Sequence, residues 1–257
     1  MGKIIAVANQ KGGVGKTTTV INLGFALSEL GQKVLLVDID PQGNTTSGVI
    51  PQKNIRPSLY ESLIQDVPVK EIIYSLKDGK NSIRDNVYLI PSNIDLAGAE
   101  IELVSAFLRE LRLKKVLEPI VDDYDYILID CPPSLGLLTV NALTSANYIL
   151  IPLQCEYYAL EGISQLMRTI ELIKRNLNTN LEILGILLTM YNRTTLSQQV
   201  ADEARKFFKD KVFKTVIPRN IRLSEAPSFS QSIFEYAPDS SGAIAYKELA
   251  KELMNHE

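Results

Sequence analysis

The chain has 257 residues, nearly half of them hydrophobic, enough to bury the core of one large α/β domain. A formal net charge of −3 leaves nucleic-acid and protein partners open, but it confines any DNA-binding surface to a local basic patch. Cys131 and Cys155 have neither metal-site spacing nor a disulfide framework around them, and they read as small buried residues in or beside strands.

Met1-Gly2-Lys3 leads straight into a strand without a signal-peptide pattern, and no apolar run is long enough to span a bilayer. A soluble, cytoplasmic protein is therefore expected. Residues 3–9 form the strand, Gln10–Thr18 a glycine-rich loop, and Thr19–Leu27 an amphipathic helix. That order is the context of a P-loop. Its glycines let backbone N–H groups close around phosphate oxygens, and the helix N-terminus adds its positive dipole end. Lys16 is expected to reach the β- and γ-phosphates of a nucleotide, and the Thr17 hydroxyl to ligate Mg²⁺. The loop departs from the strict pattern at its first glycine, which is replaced by Gln10, and a second lysine, Lys11, follows.

Further strands are expected at 33–38, 87–90, 125–130, 147–152 and 182–189, with a shorter edge strand at 212–217. Helical patterns lie between them, notably at 97–118 and 160–176, and a last one at 241–254. Alternating β and α elements, with strands apolar on both faces, predict one doubly wound, mainly parallel α/β domain over 1–257, helices on both faces. Ligands then belong at the carboxyl ends of the strands.

Two strands end in acids there. Asp38 and Asp40, in Asp38-Ile39-Asp40-Pro41-Gln42-Gly43-Asn44, are spaced to share a face and to orient water or hold a Mg²⁺ shell; by themselves they could equally be two solvated loop acids. The run Tyr126-Ile127-Leu128-Ile129-Asp130 is a Walker-B arrangement, in which Asp130 contacts Mg²⁺ directly or through water. Pro132-Pro133 stiffens the exit or simply ends the strand, leaving Ser134-Leu135-Gly136 placed to sense a γ-phosphate.

Lys11–Thr18 resembles the deviant Walker A motif of the ParA/MinD ATPases. The segments Asp38–Asn44, Cys131–Gly136, Gln154–Gly162 and Val216–Ser228 narrow the resemblance to the ParA/Soj partitioning branch, over essentially the whole chain. The resemblance implies an ATPase using Mg²⁺ and dimerising around ATP. In it Lys11 is the signature lysine that reaches the partner's ATP, and Gly12 lies where the two subunits approach closely. Gly13, Val14, Gly15, Lys16, Thr17 and Thr18 complete the phosphate cradle. Asp40 matches the hydrolytic aspartate and Asp130 the switch aspartate. Pro218, Arg219 and Asn220 match the loop that holds the adenine, with Asn192 beside it at a position often occupied by aspartate.

The stretch Ala204–Arg222 carries seven basic residues against Asp210. By itself it reads as a solvated helix face with an edge strand. The resemblance instead implies binding of duplex DNA without sequence preference by the ATP-bound dimer, with Arg193 and Arg222 matching the DNA-contacting arginines. It further implies a nucleoid-associated protein whose hydrolysis is stimulated by a centromere-binding ParB partner, and in Soj-like members an effect on the replication initiator. A MinD-like membrane switch is the alternative. It should end in a cationic amphipathic helix, whereas Ala245–Glu257 is mixed in charge, reads as a packed and frayed helix, and leaves His256 in an exposed tail.

Overall fold

In the computed structural model, which describes residues 2–52, 55–78, 82–156 and 161–255, Lys3–Val7 form strand β1 near the middle of the sheet. The other strands are β2 (Val34–Asp38), β3 (Tyr74–Ser75), β4 (Val87–Ile90), β5 (Tyr126–Asp130), β6 (Tyr148–Gln154) and β7 (Glu182–Thr189). They line up as β3-β4-β2-β5-β1-β6-β7, with every pair parallel except β3 with β4. Alternate residues feed two separate cores. Leu35, Val37, Ile127 and Ile129 pack on one face, and Ile5, Val7, Leu36 and Leu128 on the other. Strands covered on both faces need apolar residues throughout, and that explains their unbroken hydrophobic runs.

The helices are α1 (Lys16–Glu29), α2 (Asn44–Val49), α3 (Leu59–Gln65), α4 (Leu96–Glu102), α5 (Arg112–Leu117), α6 (Leu137–Ser145), α7 (Glu161–Asn176), α8 (Thr195–Phe208), α9 (Ile221–Glu225), α10 (Ile233–Tyr236) and α11 (Ser241–Met254). The first core takes in α3, α5, α6, α7 and α8, and the second α1 and α11. The fold is thus the expected doubly wound, mainly parallel sheet with helices on both faces, of the P-loop type.

Three expectations need correction. The first helix is not amphipathic in its setting: every residue from Thr19 to Ser28 is buried, because α2, α10 and α11 cover the side turned away from the sheet. The single helix expected over 97–118 is broken between α4 and α5. Leu108 turns into the left-handed region at φ 51°. The Asn141 side chain then serves both sides of the restart, donating to Arg109 O (2.8 Å) and accepting from Leu113 N (3.1 Å).

No strand forms over 212–217. Phe213 N and Ile217 N do reach the β7 carbonyls of Ile186 and Leu188. Between them, Lys214 N and Thr215 N turn to the Glu252 carboxylate instead (2.7 and 2.9 Å), so only isolated bridges remain. The two-residue strand β3 was not anticipated at all. The last helix is packed as expected, with Tyr246, Leu249 and Leu253 buried, and it runs to Met254. His256 lies outside the described residues, as do Tyr157–Leu160 of the Gln154–Gly162 motif.

Candidate functional site

The parallel register brings the proposed site together at one sheet edge. Val7, the last residue of β1, pairs with Asp130, and Asp130 pairs with Asp38. The glycine loop and both acids therefore emerge side by side, at the carboxyl ends where such sheets bind ligands.

The loop is held at three points. Asn9 Nδ2 donates to Pro152 O (2.7 Å) and its Oδ1 accepts from Lys11 N (3.0 Å); Thr189 Oγ1 donates to Val14 O (2.8 Å). Gly13 and Gly15 lie at φ 74° and 89°, where a side chain would be strained. Gly15 is the N-cap of α1 and supplies no side-chain cap, which leaves the first-turn N–H groups of Lys16, Thr17 and Thr18 without intrahelical acceptors. Uncapped donors at a helix N-terminus are a ready anion cradle. Lys16 curls back over the loop, its Nζ donating to Lys11 O (3.2 Å). Burial lowers the Lys16 pKa, while the nearby Asp130 and Asp40 charges pull it upward.

Lys11 points elsewhere. Its ammonium is partly exposed and stands 3.4 Å from Glu156 Oε2, at the end of β6. At Gly12, an added Cβ would meet only Pro133 Cβ, at 3.9 Å, so this chain itself leaves room for a side chain there.

The carboxylates divide the work. Asp38 is fully buried and its oxygens are already engaged: Oδ2 accepts from Thr46 N and Thr46 Oγ1 (both 2.8 Å), and Oδ1 from Asp40 N (3.3 Å). Asp130 is equally buried but half satisfied. Its Oδ2 accepts from Thr17 Oγ1 and Thr45 Oγ1 (both 2.8 Å), whereas Oδ1 has no partner among the described residues. Burial lifts the Asp130 carboxyl to about 6, with the Asp40 charge adding to it, and burial also pushes Asp38 up, with the Asp130 charge adding there. A buried, orphaned carboxylate oxygen beside a threonine hydroxyl fits a divalent cation, which would supply its missing partner. Asp40 is nearly buried, with Oδ1 accepting from Gln42 N (2.9 Å), and its main-chain carbonyl accepts from Ser92 Oγ (2.5 Å).

A second cluster forms where Tyr191 pairs with 217–219: Tyr191 N donates to Ile217 O and Arg219 N to Tyr191 O (both 3.0 Å). This places the loop with Asn192 and Arg193 alongside the loop with Pro218, Arg219 and Asn220. Asn192 Oδ1 is committed to the start of α8, accepting from Thr194 Oγ1 (2.9 Å) and Ser197 Oγ. Asn220 caps α9 by accepting from Arg222 N (2.8 Å). Arg193 and Arg222 are both exposed; Arg222 is paired with Glu225 at 3.0 Å. All seven basic side chains of 204–222 are exposed too.

Sequence reasoning passed over Thr45, Thr46 and Ser92. The Thr-Thr pair directly after Asn44 was the available signal, since adjacent hydroxyls can serve the ends of two neighbouring strands. Among the described residues, no helix is long and apolar enough to cross a membrane.

Comparison with known proteins is consistent with this geometry. Residues 2–183 match the AAA domain family model. The chain is 57% identical to the sporulation initiation inhibitor protein Soj of Bacillus subtilis, covering 98% of each. It is 51% identical to the chromosome partitioning protein ParA of Myxococcus xanthus, covering all of this chain and 89% of that one. A Mycobacterium smegmatis structure named cobyrinic acid a,c-diamide synthase, with a bound ATP analogue and magnesium, superposes with a TM-score of 0.85 at 41% identity, covering all of this chain and 96% of that one.

Proposed function

The chain belongs to the ParA/Soj family of partitioning ATPases, and on that premise we propose that it segregates DNA by an ATP-driven cycle of dimerisation and release. In this reading ATP and Mg²⁺ are its substrate and cofactor. The observation that carries it is the in-register edge at which the uncapped start of α1, Thr17 and the orphaned Asp130 Oδ1 converge.

Lys16 and the first turn of α1 hold the β- and γ-phosphates. Thr17 and Asp130 would hold Mg²⁺, which when bound neutralises phosphate charge. Asp38 acts on this site indirectly, by fixing Thr46. Asp40, held from behind by Ser92, orients the attacking water. Lys11 leaves Glu156 to reach the partner's nucleotide, where a second cation stabilises the charge that develops on transfer. Gly12 admits the partner's close approach. Pro218, Arg219 and Asn220, with Asn192, line the adenine side.

The dimer presents two copies of Arg193 and Arg222 to duplex DNA, so nucleotide state controls the number of phosphates engaged at once. A ParB partner accelerates hydrolysis and releases the protein from the nucleoid. The membrane reading gains no support from α11, whose apolar residues Tyr246, Leu249 and Leu253 are buried within the second core. The test is light scattering with ATP, ADP or no nucleotide. A dimer is expected only with ATP and Mg²⁺, and it should be lost in Lys16→Ala; a dimer formed equally with ADP would refute the cycle.

A further inference from the structure

Arg84, in the turn before β4, is an interior cation outside the candidate nucleotide site. Its side chain is only 14% exposed, and its guanidinium lies 5.7 Å from the centre of the Phe25 ring. Its nitrogens serve two segments far apart in sequence. Nη1 donates to Val49 O (2.9 Å), at the end of α2; Nη2 donates to Ser230 O (2.7 Å) and Nε to Glu235 Oε1 (2.5 Å).

Each of those segments leads to a functional group. The first turn of α2 holds Thr45 and Thr46, bound to Asp130 and Asp38. In the other direction, Tyr236 follows Glu235, and its hydroxyl donates to Glu225 Oε2 (3.0 Å), the oxygen that also accepts from Arg222 Nη1 (3.0 Å). A smaller contact runs in parallel: Ser230 Oγ donates to Ser47 O (3.0 Å). The segment is also bolted to the glycine-loop helix. Ile233 N donates to Asn22 Oδ1, and Asn22 Nδ2 to Thr18 O (both 2.8 Å). The 226–236 segment thus has one attachment to α1 and another to α2. These attachments give a displacement of α2 relative to α1 a direct route to the segment that holds Arg222.

We propose that Arg84 is a positioning residue that couples the state of the Asp38–Asp130 pair to the presentation of Arg222 to duplex DNA phosphates. The proposal rests on the DNA-binding reading above. A fork of fixed geometry suits this role, because a guanidinium holds two carbonyls and a carboxylate in set directions from three separate nitrogens, whereas a lysine offers its three donors from a single rotating point.

The test measures ATP-dependent dimerisation and ATP-dependent duplex binding side by side. Arg84→Lys should dimerise at the wild-type ATP concentration, yet bind DNA roughly two- to thirtyfold more weakly. In an Arg222→Ala background it should cause no further loss, which a general loss of structure would not reproduce. Glu235→Gln weakens the charged pair with Arg84 while leaving an acceptor for Ser232 N, and should show a smaller loss with the same non-additivity; it decides the matter if Arg84→Lys does not fold. Full DNA affinity in the variants, or losses that add to that of Arg222→Ala, would overturn the coupling. Failure of the wild type to bind DNA with ATP, or wild-type binding by Arg222→Ala, would instead strike the reading on which the coupling rests.

Discussion

Asp38 and Asp130 face each other across β2 and β5, and each is held by one of two consecutive threonines at the start of α2, Thr46 and Thr45. The loop between, with Asp40, is therefore closed at both ends on the floor of the site. Thr46 does more than hold Asp38: its hydroxyl also accepts from Ser92 N (2.9 Å).

Thr46→Val keeps the shape but strands two buried partners, Asp38 Oδ2 in part and Ser92 N entirely. A loss of about 2–3 kcal/mol is expected in urea unfolding, with Thr46→Ser close to wild type. An unchanged midpoint in Thr46→Val would mean that water takes over both bonds.

Burial puts the folded-state pKa of Asp130 at about 6, and that of Asp38 moves in the same direction. A carboxyl raised on folding holds more protons folded than unfolded, so its contribution is best at low pH and is lost as pH rises through the folded value. In metal-free buffer, Asp130 should cost the fold about 2 kcal/mol more at pH 7 than at pH 4. Unfolding with chelator at about pH 5 and pH 7.5 checks this. Asp130→Asn should show the shallower pH dependence, also relieving Asp38; parallel pH profiles would contradict the assignment.

At Gly12 only Pro133 comes within 4 Å of an added Cβ, at 3.9 Å. Gly12→Val should fold, melt within a few degrees of wild type and bind ATP, yet remain monomeric in sedimentation. Failure to bind nucleotide would mean that the side chain blocks the cradle of its own chain, and not the approach of a second.

Glu252→Ala should cost about 1 kcal/mol, because the Lys214 and Thr215 N–H groups lose a shared charged acceptor at a partly exposed site. Hydrogen exchange at those two amides should accelerate in the variant. Unaltered exchange would show that the carboxylate does not protect them.

The same pair shows where sequence reading stops. Residues 212–217 have the composition of a strand, but strand formation needs ladder partners for every second N–H, and a carboxylate 37 residues away takes the one at Thr215, between the Phe213 and Ile217 donors. The break in 97–118 is also tertiary in origin, since Asn141 supplies the bonds that a continuous helix would have made internally. The central strands were legible because a strand buried on both faces must be apolar along its length. The glycine loop was legible because its positive φ angles demand glycine. The Thr45 and Thr46 contacts were not, since their meaning depends on β2 and β5 being neighbours, and no local pattern states that.

Duplex binding measured with ATP, ADP and no nucleotide across a salt series, with Arg222→Ala alongside, tests the central claim most directly. Tight binding is expected with ATP alone, weakening steeply with salt and markedly reduced, but still measurable at low salt, in the arginine variant. Binding that ignores nucleotide, or no binding with ATP at low salt, would contradict it.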